Sequence, residues 1–395
     1  MSAPAGGFFL AKLFHGPGSG GDRTTQAPPK RATTPQSTPR EESEEQVTLE
    51  RADELIKDER NPNVKKLINR VVVRHKGIVL YCDSAYLHED KNAVDAFGNA
   101  RMISDDGTIL TSDSMYYNGD TQVAEAEGDV VLVDEEMRLT TDQLLYNVQE
   151  GVAYYYNQGK IVDPEKTLES RSGTYDTNSK IFYFRQDVEM VTNDGRTINT
   201  DNLTYNTISK FAYFEGPTWI TSSDGTVYTE SGSFDTESEI SNFRGRTRVE
   251  DEAYFLEGDS LFFNNATGYG FAQGNVLLFS KQDSVLIDGD IGWYRRAEGE
   301  SKVYGNALMR NISQEDTLYL KADTLYSVRN QETGESMQFA YPRPQIFKSD
   351  FQGRCDSLVY DQGDSTIYLY GDPVLWNVGS QLTADSITIQ LAEIN

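Results

Sequence analysis

An aspartate recurs about every thirty residues in this sequence, at Asp53, Asp83, Asp113, Asp142, Asp201, Asp259, Asp290, Asp323, Asp356 and Asp385. Arg171 and Ser231 fill the two vacant slots. Carboxylates at regular spacing suit calcium ligation, acid–base catalysis or local hydrogen bonds to backbone N–H groups. A catalytic residue does not recur once per repeat, and the glycine-rich nonapeptide of calcium-binding β-solenoids is absent. The anchor aspartates are therefore predicted to bond neighbouring backbone N–H groups at strand starts. A carbohydrate-active enzyme would need carboxylates gathered on one surface, whereas Asp and Glu are spread evenly here. No residue is assigned a catalytic role, and the chain does not read as an enzyme.

The remaining reactive side chains are few. Cys82 and Cys355 form no CxxC pair, and His15, His75 and His88 have no metal-ligand spacing, so no metal or cofactor is expected. The cysteines read as small buried hydrophobes. The formal net charge is -26, which repels phosphate backbones and argues against nucleic-acid binding. It also keeps a β-rich protein soluble and blunts its edges. No apolar stretch approaches the roughly 18 residues of a membrane helix. The segment before Phe8, Phe9 and Leu10 lacks the basic start of a signal peptide.

The elements that position these residues are strands. The chain has 23 Tyr and 18 Phe, a content foreign to disordered chains and suited to pleated surfaces. An aromatic follows each anchor by three or four residues: Tyr86, Tyr117, Tyr146, Tyr175, Tyr205, Phe234, Phe263, Tyr294, Tyr326 and Tyr360. These are predicted to pack in the core or at its rim. A glycine follows at 14 to 17 residues, as at Gly98, Gly128, Gly159, Gly216, Gly245, Gly274, Gly305 and Gly371, with Gln186 replacing it once and the unit around Tyr341 lacking it. One glycine per repeat at a fixed offset predicts a line of bends along the stack. Ala124, Ala126, Gly128, Val130 and Leu132 alternate with Glu125, Glu127 and Asp129, so one face is apolar and the other acidic. Turns are predicted at Asp105–Gly107 and Asn193–Gly195. Residues 1–45 are rich in Gly, Pro, Ser and Thr and are predicted to be a disordered leader or linker. Residues 46–395 form the repeat domain, with an irregularity expected at 330–350, where Pro342 and Pro344 lie. Val47–Ile56 also suits a short helix, but the Asp53 register favours strand.

A repeat of this length cannot bury its own apolar face, so neighbours must stack. The stretch His75–Tyr86, with its CDSAY pentad (Cys82 to Tyr86), the segment Ala96-Phe-Gly-Asn-Ala100 and the recurring D-x-L-x-Y lines together resemble the OstA-like family of lipopolysaccharide-transport proteins, in its Bacteroidota-type branch. The resemblance covers residue 46 to the end. It implies an all-β, elongated, antiparallel β-jellyroll, a folded β-taco with about thirty residues per repeat. It implies a periplasmic location and an apolar groove that shields lipid A acyl chains. It further implies edge-to-edge joining with other β-jellyroll transport proteins, or head-to-tail self-association, as a bridge towards the outer membrane. The apolar positions on the glycine-bearing face are the candidate groove lining: Met102, Val130, Leu132, Ile161, Val276, Leu278, Ala307 and Met309. The alternative readings are that these positions are ordinary core, and that the chain is a structural or interaction scaffold without lipid cargo.

Overall fold

The computed structural model describes residues 45–390 apart from 58, 60, 136, 224, 253, 265, 282, 283, 313–315 and 331. Nearly all the leader expected over residues 1–45 lies outside the described residues. The described residues fall into two compact units. The first runs up to Asp194 and includes Asn202–Ser209; the second comprises Gly195–Asp201 and everything from Lys210 onward. Both are built of antiparallel strands: the long strands pair with the strands before and after them, and where a strand is split at the bend its two halves pair separately, as Gly159–Val162 with Met137–Asn147 and Glu300–Tyr304 with Thr324–Arg329.

In the first unit the run Val64–His75, Ile78–His88, Ala93–Ile103, Ile109–Asn118, Val123–Asp134 and Met137–Asn147 shows the logic. Tight turns at the predicted Asp105–Gly107 and Asn193–Gly195 join strands ending at Ile103 and Thr192 to the next. The segment Val47–Ile56 contains strands Thr48–Arg51 and Glu54–Lys57, not a helix.

Every long strand is bent at its middle. Between Ala93–Ile103 and Ile109–Asn118 the register runs from Phe97↔Ser114 to Ala100↔Ser112. Gly98 and Asn99 therefore oppose Asp113 alone, which is a β-bulge. Val123–Asp134 repeats it, with Gly128 and Asp129 opposite Asp142. Gly128 (φ +77) and Asp129 (φ +42) are both left-handed, a conformation that Gly, Asn and Asp adopt at least cost. Because two residues are spent at each bend, the two-residue alternation survives it. Ala124, Ala126, Val130 and Leu132 are all buried, while Glu125, Glu127 and Asp129 are exposed.

The bends corrected one expectation. Asp53, Asp323, Asp356 and Asp385 directly precede strands, as expected, but Asp83, Asp113, Asp142, Asp201, Asp259 and Asp290 lie at mid-strand, on the outer side of the bend. A Cβ on Gly128 would lie 2.6 Å from Asp113 Oδ2, and one on Gly274 would lie 2.6 Å from Asp259 Oδ2. The carboxylate thus fills the space that the glycine vacates on the next strand. Its partner is the side chain after that glycine: Asn99 donates to Asp83 (2.8 Å) and Asn275 to Asp259 (2.7 Å). Where Arg171 replaces the anchor, Asp187 stands in the Asn position and the two form an ion pair at 3.5 Å, so the anchor's charge is reversed and a countercharge replaces the neutral amide. The slot assigned to Ser231 belongs to Glu230, whose Oε2 is 2.5 Å from a Cβ built on Gly245. Gly159 is displaced as well. It lies inside strand Gly159–Val162 beneath the Tyr155 ring, and the left-handed residue there is Gln158.

Where the residue before the anchor is Ser or Thr, it can clamp the bend from inside. Ser112, Thr141, Ser170 and Thr229 each donate to the carbonyl two residues on. Cys82 and Cys355 occupy the same slot. Both are buried, and burial pushes each thiol up to about 11.

The bends divide the sheet of each unit into two arms that pack face to face. In the second unit, Ile287, Ala307 and Met309 of one arm pack with Val303 and Leu325 of the other. The segment 330–350 keeps this order. Strand Ser336–Tyr341 pairs with Thr324–Arg329 and Ser357–Asp361, and strand Gln345–Lys348 with Thr317–Lys321 and Phe351–Arg354. Arg343 (φ +52) takes the left-handed place of the missing glycine.

Candidate functional site

The interior between the arms is built from fixed sequence offsets. On the first arm, cross-strand partners form an unbroken apolar row through the first unit: Met102↔Leu110, Leu110↔Leu132, Leu132↔Leu139, Ile161↔Leu139, Ile161↔Leu168 and Leu168↔Met190. The second unit has its own row: Leu256↔Leu278, Leu278↔Ile287, Ile287↔Met309, Met309↔Leu320 and Leu320↔Ile346. Directly opposed apolar side chains on one sheet face are the unit of sheet stabilisation.

All eight sequence-predicted residues lie on this arm. In the first unit Met102, Val130, Leu132 and Ile161 are at most 2% exposed; in the second Val276, Leu278 and Ala307 are buried and Met309 is partly buried. The sequence reading missed Leu110, Leu139, Leu168, Leu256, Ile287 and Leu320, which alternate with them. The signal was present, since each stands three residues before an anchor.

The facing arm carries the aromatics. Tyr117, Tyr146, Tyr175, Tyr205, Phe234, Phe263, Tyr294 and Tyr360 are buried, each four residues past its anchor. Tyr86 and Tyr326 stand at three residues and lie on the other face, with Tyr86 exposed. Large and small side chains alternate across strands: Tyr146 faces Ala124 and Ala153, and Tyr294 faces Gly270 and Ser301. In the first unit the rings of Tyr175, Phe182 and Phe184 stack at 4.0 and 5.3 Å. The second unit retains a cavity of ≈ 30 Å³ lined by Leu256, Ala272, Val276, Leu278, Gly292 and Val303, among others.

Tyrosine recurs at this offset because its ring belongs to the core while its hydroxyl reaches the rim. At the rim it meets polar groups on the opposite arm. Tyr117 Oη lies 2.8 Å from His75 Nδ1, and His75 Nε2 lies 3.1 Å from the Glu45 carbonyl. Nε2 therefore carries the proton donated to Glu45, and Nδ1 accepts from Tyr117. Burial lowers the His75 pKa, consistent with a neutral ring. Tyr175 Oη donates to Asp134 Oδ2 at 2.6 Å, and Lys180 Nζ donates to both Asp134 oxygens at 2.8 and 2.7 Å. Burial raises the Tyr175 pKa and the Asp134 charge raises it further. Lys166 Nζ lies 4.5 Å from the Tyr205 ring centroid and 3.3 Å from Asp163 and Glu165. In the second unit Arg196 lies 5.1 Å from the Phe234 ring, a cation–π contact where a phenylalanine offers no hydroxyl.

The outer rims of the sheets are also defined. Among the described residues, Thr48–Arg51 and Glu54–Lys57 pair only with Val64–His75, and Ser380–Thr383 pairs only with Val374–Asn377. Their other edges present unpaired N–H and C=O groups. Among the described residues, no group of three or more His, Cys, Asp or Glu is placed to hold a metal ion.

The geometry can therefore enclose apolar matter between two arms, with polar groups at the rim and hydrogen-bonded Ser and Thr hydroxyls at the bend. Comparison with solved structures finds the crystal structure of LptH from Pseudomonas aeruginosa, described as the LptA-homologous periplasmic component of the conserved lipopolysaccharide transport device. It is 18% identical over 38% of this chain and 96% of that one, with a TM-score of 0.20, too low to support an inference. No curated protein matches the chain. The OstA-like protein family matches residues 44–196 and 191–259, more than half of the 395 residues, and on that match the chain belongs to the OstA-like family.

Proposed function

We propose that this chain is a lipopolysaccharide-transport protein of the periplasm that holds lipid A acyl chains between its two arms. Family membership supports transport in general. The observation that carries the finer reading is the unbroken first-arm row from Met102 through Leu132 and Ile161 to Met190, an apolar track normal to the strands. Transfer of acyl chain from water is worth about 0.8 kcal/mol per CH₂, so such a track needs no catalytic group. The chain acts as a carrier and not as a catalyst. The half-paired edge strands fit edge-to-edge joining with other transport jellyrolls, or with a second copy, as a bridge towards the outer membrane.

Site-specific photocrosslinking tests the reading. A photoreactive residue at Val130 or Leu278 is expected to capture lipopolysaccharide, while one at the exposed Glu127 is not. No capture at either inner site, in folded protein, would reject lipid carriage. One observation favours a second reading, a scaffold without cargo: the inner positions are buried, and the cavity beside Val276 holds only ≈ 30 Å³. Under that reading the closed interior is the working state.

A further inference from the structure

We propose that acyl chains enter the first unit sideways, through the rim between its arms, and that Tyr175, Asp134 and Lys180 form the latch of that entrance. The inference rests on the lipid-carrying reading and adds the route and its gate.

The interior of the first unit is filled, so a guest must part the arms. The arms are joined at bends of left-handed residues, among them Gly98 with Asn99, Gly128 with Asp129 and Gln186 with Asp187, and glycine lowers the cost of backbone rotation at the first two. At the opposite side they meet through polar contacts that span about forty residues of sequence: His75 with Tyr117 and Asp134 with Tyr175. A rim built only to stay shut would be apolar, because well-packed hydrophobes generally match or exceed a desolvated ion pair in stability. Here Asp134 is 6% and Lys180 21% exposed, and they face each other at 2.7 Å. Further polar groups meet at the closed rim: the Tyr146 hydroxyl faces Thr177, Thr108 and Ser104, and Tyr205 faces Lys166. These groups are hydrated when the rim opens. Opening therefore exchanges ion-pair and hydroxyl contacts for hydration, a balanced trade that an apolar rim does not offer.

The test uses the full chain with cysteines at both ends of the latch, D134C and K180C, bridged by a short cleavable bis-maleimide. Cys82 and Cys355 are buried, so the engineered pair dominates labelling. The probe is a fluorescent C18 polyene fatty acid, read by stopped-flow fluorescence. Hydrogen exchange is followed at the ends of strands Val123–Asp134 and Ser172–Asp176. The bridged protein is expected to take up probe at least tenfold more slowly than the same protein after cleavage. Tyr175→Phe, which removes one hydroxyl and keeps the ring, is expected to raise both rim exchange and uptake rate several-fold over the unmodified chain. Uptake that ignores the bridge overturns the gate and leaves lipid carriage standing. Faster rim exchange without faster uptake, or no change in rim exchange, also overturns it. Probe bound by none of these proteins overturns the gate and the lipid-carrying reading together.

Discussion

The first unit fills the space between its arms with Tyr146, Tyr155, Tyr175, Phe182 and Phe184, and ties its rim with Asp134, Lys180, Lys166 and His75. The second unit places Gly270, Gly289, Gly292, Ser301 and Ala307 at many of its inner positions and retains the ≈ 30 Å³ cavity beside Val276 and Leu278. One repeat pattern thus supports a tight interior and a looser one. The bends are common to both, and what differs is the size of the side chain alternating with each aromatic. Packing density is therefore a local choice, free to vary while the backbone stays the same.

Five measurements test that contrast. The largest effect is expected for Tyr155→Ala, whose ring covers Gly159 and Gly173. Loss of a buried ring on this scale costs about 3–5 kcal/mol, seen as a lower urea midpoint. A cost below about 1 kcal/mol would mean that the first interior is loose after all.

Asp134→Ala should follow, at about 3 kcal/mol, because it removes the acceptor of the buried Tyr175 hydroxyl and leaves Lys180 only Glu135 at 3.8 Å. The same denaturation assay reads it, and Asp134→Ala with Lys180→Met should recover part of the loss. Next is Gly128→Ala. A left-handed alanine costs about 1–2 kcal/mol, and its Cβ would sit 2.6 Å from Asp113 Oδ2. Asp113→Ala in the same chain should return the steric part alone, so a double-mutant cycle separates clash from backbone strain.

Gly292→Ala is expected to move the other way. Its Cβ would approach Val276 Cγ1 no closer than 3.4 Å beside the cavity, so reduced unfolded-chain freedom should stabilise by about 0.5 kcal/mol. A loss of stability would show that the second interior is as full as the first. The smallest effect concerns acidity. Burial holds the His75 pKa below its ordinary 6.5, so below that value the unfolded chain binds a proton that the folded chain refuses. The stability this group contributes is present above pH 6.5 and is lost as the pH falls through its folded value. The difference in urea midpoint between pH 7.5 and pH 5.5 should shrink in His75→Gln.

Much of this was legible in the sequence because the repeat states it many times over. The glycine offset announced the bends, and the alternation of Ala124–Leu132 correctly assigned inner and outer faces. The eight candidate lining residues proved to share one arm. Their alternating partners, Leu110 and Leu139 among them, lie on the intervening strands, which carry no bend glycine to mark them. The mid-strand anchors, Asp83 and Asp113 among them, were misplaced because an Asp at a strand start and an Asp that fills a glycine notch on the next strand have the same local sequence. Glu230 escaped because its longer side chain reaches the notch from a slot where only Asp was sought.

By itself, the sequence determined what depends on neighbours along the chain: strand positions, faces, turns, and bends where left-handed residues come cheaply. Only the tertiary structure decided what depends on residues some forty positions apart. The Tyr175–Asp134–Lys180 contact and the neutral His75 against Tyr117 arise where two arms meet. No periodicity encodes which polar group a rim tyrosine will face, because that is fixed by the depth of the fold and by side-chain reach across it.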